Sequence, residues 1–251
     1  MKPTENFSGK ADMYSKSRPS YPNEYIDYLF SANHVDESCR IADIGSGTGI
    51  LTRQLLERRV SVTGVEPNKD MRTKAEQNLR KFDLFTSING SAEDTTLPEN
   101  SVDLVIAAQA FHWFDKEKFK LECKRILKQE RNVALVWNSR DSESPLIKEN
   151  AEIFKKYCPS FYGFSGGIGE NEEVFKQFFR NGQYEYKRFH YDLVMDYNGF
   201  LGRNLSASYS LKESDNDYKL FVEDISNLFE KYSYNGTIVM PNFTRSYLGY
   251  V

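Results

Sequence analysis

Apolar and polar positions change period repeatedly along the first 140 residues. Short apolar runs bounded by turn residues at 40–44, 60–66, 84–88, 102–107 and 132–138 read as buried strands. Between them, 50–59, 69–81 and 116–128 carry apolar residues at helical spacing, as does 23–30 upstream. Strands alternating with helices predict a parallel sheet covered on both faces. Beyond Asp141 the rhythm changes. Segments 149–157 and 171–179 read as amphipathic helices, and the glycine cluster at 163–169 between them has no preceding strand, so it reads as a connection. Two stretches with strand-like alternation follow, 184–194 and 236–243, the second running on to 249.

The first strand-to-helix junction carries the most chemistry. Asp43-Ile44-Gly45-Ser46-Gly47-Thr48-Gly49 places three glycines where the backbone can take positive φ and approach a ligand, and the N–H groups of a helix start favour an anion. Glu66 ends the second strand, where a carboxylate can accept both hydroxyls of a ribose. A dinucleotide fingerprint would need its third glycine at position 50, which is isoleucine. The alternative is a glycine turn that only links strand to helix. An acidic strand end about 20 residues downstream favours a cofactor.

The pattern Asp-x-Gly-x-Gly-x-Gly from Asp43 resembles motif I of the class I S-adenosylmethionine-dependent methyltransferases, and Glu66-Pro67-Asn68 with Met71 resembles their second motif. The run Gln109-Ala110-Phe111-His112-Trp113-Phe114, with Tyr14-Ser15-Lys16-Ser17-Arg18-Pro19-Ser20-Tyr21-Pro22 upstream, is similar to a small-molecule subgroup that includes the trans-aconitate methyltransferase-like proteins. This resemblance implies an α/β fold: a doubly wound, Rossmann-like, seven-stranded and mostly parallel sheet with an antiparallel carboxyl-terminal strand and helices on both faces. It divides residues 1–251, taken as one domain, into an amino-terminal lid at 7–31, a cofactor core at 32–140, an inserted acceptor-side cap at 141–210, and a closing helix and strand at 211–251. The implied cofactor is S-adenosylmethionine, leaving as S-adenosylhomocysteine. Its binding is expected to involve Tyr14, Arg18, Asp43, Gly45, Gly47, Gly49, Glu66, Pro67, Met71, Ala92, Glu93, Gln109 and Ala110.

Each assignment has a plainer rival. Asp43 can accept from the loop N–H groups or reach the ammonium of the methionine part. Ser91-Ala92-Glu93-Asp94 meets the adenine in the family, yet serine and aspartate also build ordinary turns. His112 is the candidate catalytic base, against a packing role. A sulfonium methyl is already activated, so transfer depends more on in-line placement than on a base. Trp113 and Phe114 are expected as apolar walls, and Trp113, Arg140, Arg203 and Tyr209 as acceptor-binding residues, with the arginines suited to a carboxylate and surface exposure as the alternative.

Composition narrows the partners. With 251 residues, 39% of them hydrophobic, the chain can bury a sizeable core, and no apolar run reaches the ~18 residues of a membrane span. The amino terminus lacks a hydrophobic signal, so a cytoplasmic location is expected. A net charge of -3 offers no field for nucleic acid, which favours a small-molecule acceptor. Cys39, Cys123 and Cys158 are widely spaced, pointing to reduced thiols and no metal site. The oligomeric state is not legible. Two rival readings are a non-catalytic module that binds S-adenosylmethionine and an NAD(P)-dependent oxidoreductase.

Overall fold

The computed structural model describes residues 18–164, 172–207 and 209–251. Helix α1 (Asn23–Asn33) leads into β1 (Arg40–Ile44), α2 (Ile50–Leu56), β2 (Ser61–Val65), α3 (Lys69–Leu79), β3 (Phe85–Ile88), β4 (Leu104–Ala108), α4 (Lys116–Ile126) and β5 (Val133–Arg140). After these come α5 (Pro145–Tyr157), α6 (Glu172–Phe178), β6 (Glu185–His190), β7 (Leu193–Met195), α7 (Tyr197–Leu205), α8 (Tyr218–Tyr232), β8 (Ile238–Met240) and β9 (Asn242–Gly249). The seven-stranded sheet has the order β3-β2-β1-β4-β5-β9-β6. The first five strands are parallel, β9 is antiparallel to β5, and β6 is antiparallel to β9.

The apolar runs are continuous because both faces of the sheet are covered. Ala42, Val105, Val133, Leu135 and Trp137 point to one face, against Phe119, Cys123 and Ile126 of α4 and Phe175 and Phe178 of α6. Their chain neighbours Ile41, Leu104, Ile106, Ala134 and Val136 point to the other, against Tyr25, Ile26 and Leu29 of α1, Leu51 and Leu55 of α2, and Ala75 and Leu79 of α3. A separate cluster joins α5, α7, α8, β7 and β8 through Leu146, Phe154, Phe200, Phe221, Ile225, Phe229, Ile238 and Met240. We refer to it as the cap.

Three expectations change. The helix expected at 50–59 stops at Leu56, and Arg59, at φ +62, reverses the chain before β2. The stretches 184–194 and 236–243 each divide between two sheets. β6 and β9 belong to the large sheet, whereas β7 and β8 form a two-stranded one. Pro241 has no N–H for a ladder, and the Asn242 N–H donates to the Asp192 side chain, so both strands break at the same level. Finally, residues 172–190 were expected inside the inserted cap, but α6 packs its phenylalanines on the sheet and β6 forms the sheet edge. Residues 23–31, expected as part of a lid, lie in α1 and cover the sheet; the earlier part of that segment, with Tyr14, is outside the described residues.

Candidate active site

The turn after β1 is shaped by what it must pass. Gly45 has φ +71, and a Cβ there would stand 2.7 Å from Ala110 Cβ and 3.2 Å from the Phe114 ring, so the loop after β4 lies directly against the turn. Four N–H groups of the turn are spent within the chain: Gly45 and Ser46 donate to Val65 O, Gly47 to Glu66 Oε2, and Gly49 to Ser46 O. These four N–H groups therefore do not face an anion; they hold the turn together and against β2 and set Glu66.

Glu66 is held at both oxygens. Oε2 accepts from Gly47 N at 2.9 Å and Oε1 from Asn68 N at 2.8 Å. Asn68 caps α3 by accepting from Met71 N at 3.0 Å, which places Pro67 and the buried Met71 beside the carboxylate. Burial raises the Glu66 pKa from its ordinary value. Each oxygen keeps a second lone pair, so the carboxylate is preoriented and can still accept from a diol.

Asp43 is 1% exposed, and its Oδ2 accepts from Thr52 Oγ1 at 2.6 Å rather than from loop N–H groups. Its Oδ1 is buried without a partner, as are Thr48 Oγ1 and His112 Nδ1. Burial, reinforced by the nearby Glu66 charge, pushes the Asp43 pKa up to about 6, against a hydrogen bond from Thr52 that lowers it. A carboxylate oxygen left orphaned in the interior is costly, and a ligand donor would satisfy it.

Two further segments border the turn. Ser91 Oγ accepts from Glu93 N and Asp94 N, each at 3.2 Å, which builds the turn that carries the buried Ala92. Glu93 Oε1 accepts from Asp115 N at 2.9 Å, tying this turn to the start of α4. After β4, Gln109 takes φ +56 and donates its side-chain N–H to Asn138 O at 2.9 Å, stitching the ends of β4 and β5. Ala110 is buried, Phe111 is fully buried, and His112 and Trp113 follow with ring centroids 4.8 Å apart. Burial, with the nearby Lys116 charge, pushes the His112 pKa down to about 4, so its imidazole is neutral at neutral pH. Trp113 is 36% exposed and can wall only part of a cleft.

The arginines lie where β5 meets the cap. Arg140 Nη1 donates to Asn150 Oδ1 at 2.5 Å and Nη2 to Asn204 Oδ1 at 3.4 Å, linking β5 to α5 and α7. Its guanidinium lies over the Phe164 ring, 3.8 Å from the centroid. Arg203, on α7, is 5% exposed, and Arg18 Nη2 donates to Ser206 O at 3.1 Å. Tyr209 packs edge-on against Phe154 and Phe161. The structure thus brings Arg18, Arg140 and Tyr209 to one place and buries Arg203 on the helix that partners Arg140.

Several residues that sequence reasoning missed complete these arrangements. Thr52 holds Asp43. Gln54 clamps both the N–H and C=O of Tyr21 at 2.8 Å, fixing the chain that enters α1. Asn138 Nδ2 donates to Ser20 O at 2.9 Å, and Asn150 and Asn204 are the amides on Arg140. The one local signal is helical spacing, since Thr52 lies three residues after Gly49 and so within the first turn of α2.

The sheet order, with its single antiparallel strand and a site at the carboxyl ends of β1, β2 and β4, defines the class I methyltransferase fold. Residues 42–134 match the family model of the methyltransferase domain. An uncharacterized methyltransferase of Mycobacterium tuberculosis is 37% identical over 148 residues, 59% of this chain and 58% of that protein. The chain thus spans less than two thirds of the length of the curated relatives it matches first. Among solved structures, a putative type II methyltransferase from Anaeromyxobacter dehalogenans superposes with a TM-score of 0.67 at 20% identity, covering 93% of this chain and 97% of its own. A phosphoethanolamine N-methyltransferase of Haemonchus contortus, solved with phosphomonomethylethanolamine and S-adenosylhomocysteine, superposes with a TM-score of 0.54 at 18% identity, covering 98% of this chain and 56% of its own.

Proposed function

We propose that this chain is an S-adenosylmethionine-dependent methyltransferase acting on a small-molecule acceptor. The observation that carries the reading is the pair of buried carboxylates around the glycine turn, with Glu66 preoriented by Gly47 and Asn68 and Asp43 left with one unpartnered oxygen. These residues fit an adenosylmethionine: Glu66 is set to accept ribose hydroxyls, and Asp43 to accept from a donor of the methionine part or from a water bound to it. The 91–94 turn would border the adenine. Bound there, the cofactor supplies an activated methyl group on a sulfonium and leaves as S-adenosylhomocysteine.

The chain's own contribution is placement and exclusion of water. Ala110 and Phe114 press on Gly45 and narrow the cleft there. A neutral His112 can accept a hydrogen bond from an acceptor hydroxyl or amine and so orient it; a pKa of about 4 makes it a weak base.

Calorimetric titration of the whole chain with S-adenosylhomocysteine tests the cofactor. Binding is expected, and Glu66→Ala should weaken it by about 1–3 kcal/mol because a charged acceptor is lost. No heat of binding to the folded chain, or an unchanged affinity in the variant, would remove the assignment.

A further inference from the structure

A part-buried guanidinium, that of Arg140, sits where β5 meets the cap. Arg140 reaches inward from the last residue of β5, and the partners it finds on α5 and α7 are neutral amides, Asn150 and Asn204. No carboxylate among the described residues pairs with it. Burial pulls its pKa down to about 10; Tyr209 opposes that shift and the Arg18 guanidinium adds to it. An isolated buried cation is expensive unless something compensates it. Asn150 sharpens the point: it is fully buried, its oxygen faces Arg140, and its Nδ2 donor has no acceptor. The amide that receives Arg140 Nη1 thus keeps a donor without an acceptor, next to a guanidinium that no described carboxylate pairs, and a group able to satisfy both is an oxyanion.

We infer that Arg140 and Asn150, with Arg18 beside them, form an oxyanion site at the junction of β5, the cap and the chain entering α1, and that the methyl acceptor brings the oxyanion. This rests on the methyltransferase reading for the word acceptor, but the site itself does not. The surroundings describe the rest of the ligand. Phe164 lies under the guanidinium and packs edge-on against Phe154 and Phe161, and Tyr209 closes on the same two rings. A small molecule with one anionic end and an apolar body matches both parts. The site also has a structural consequence. Arg18 reaches Ser206 of the cap, and Arg140 reaches α5 and α7, so an anion between them joins segments that are distant in sequence and reduces the repulsion of their like charges.

Inorganic phosphate, succinate and neutral succinamide serve as probes on the full chain, with and without saturating S-adenosylhomocysteine, at constant ionic strength. Succinate or phosphate should bind and raise the thermal midpoint, and succinamide should not. Binding by succinate assigns a carboxylate, and binding by phosphate assigns a phosphoryl group. Arg140→Met should weaken the bound anion by roughly tenfold or more while S-adenosylhomocysteine still binds. Asn150→Asp guards against a variant that fails to fold: it supplies the missing counterion inside the protein, so it should raise the thermal midpoint and abolish anion binding. Anion binding that survives either substitution, or an absence of anion binding by wild-type protein, overturns the site. Anion binding without S-adenosylhomocysteine binding keeps the site and removes the methyltransferase reading.

Discussion

Gly45→Ala tests whether the glycine turn is shaped by the loop after β4. Two costs separate cleanly, because Gly47 provides a control in the same turn. Both positions have positive φ, +71 and +57, but a Cβ on Gly47 meets nothing within 4 Å, whereas one on Gly45 stands 2.7 Å from Ala110 Cβ. Alanine at position 47 therefore incurs only the left-handed strain, roughly 1–2 kcal/mol. At position 45 the new methyl also lies about 1 Å inside a normal carbon–carbon contact. Ala110 cannot easily retreat, since Gln109 before it is anchored to Asn138 and Phe111 after it is wholly buried. Overpacking of this kind costs about 1–3 kcal/mol more. Urea unfolding of the whole chain, followed by circular dichroism, should rank Gly45→Ala below Gly47→Ala by that amount. Adding Ala110→Gly should restore part of the loss, with a coupling of about 1 kcal/mol or more for residues in contact. Equal costs for the two alanines, or additive behaviour of the pair, would refute the close approach.

Two further predictions concern pH. The folded His112 pKa lies near 4, below the ordinary 6.5, so the unfolded chain binds more protons between those values; the stability contributed by keeping it neutral is complete above about 6.5 and is lost as pH falls toward 4. His112→Gln should flatten that acid limb by about 2 kcal/mol, a figure discounted for partial exposure, and parallel stability curves for variant and wild type would contradict it. Asp43 acts in the opposite sense: its folded pKa of about 6 exceeds the ordinary 3.8, so its contribution diminishes as pH rises through that interval. Asp43→Asn should raise stability at neutral pH while weakening S-adenosylhomocysteine binding, and a variant less stable than wild type at pH 7 would show that the buried charge is better compensated than the orphaned oxygen indicates.

What could be read from the chain follows how local each signal is. The glycine turn, Asp43 and Glu66 were legible because strand, turn and helix succeed one another within a few residues, and each imposes its own period and residue types. The sheet followed from the same alternation. The break of 184–194 into β6 and β7 was not legible, since period-two alternation runs through Tyr191 and Asp192 without a mark. What divides it is Asn242, about 50 residues away, whose N–H donates to Asp192 and whose carbonyl accepts from Tyr191 N. The role of α6 was hidden for a related reason: Phe175 and Phe178 have the spacing of any amphipathic helix, and which surface they cover is decided by Phe111, Phe119 and Trp137.

The candidate site divides along the same line. Its cofactor side comes largely from residues 43–66, so chain connectivity itself brings the carboxylates together, and a short pattern can encode them. Its proposed acceptor side joins Arg140 to Asn150 and Asn204, which are 10 and 64 residues away, and sets Arg18 against Ser206, 188 residues away. In sequence Asn150 and Asn204 are merely polar positions on amphipathic helices. Only packing turns them into neutral partners of Arg140, and in the proposed site their neutrality is what would favour an anion: an aspartate at either place would compensate Arg140 internally and leave no charge for a ligand to meet. An acceptor site of that kind would change its preference through a single amide-to-acid exchange, away from the turn proposed to hold the methyl donor. On that proposal the loop at 43–49 says little about the acceptor because the two halves share few residues, and the acceptor half would be defined by which side chains are uncharged.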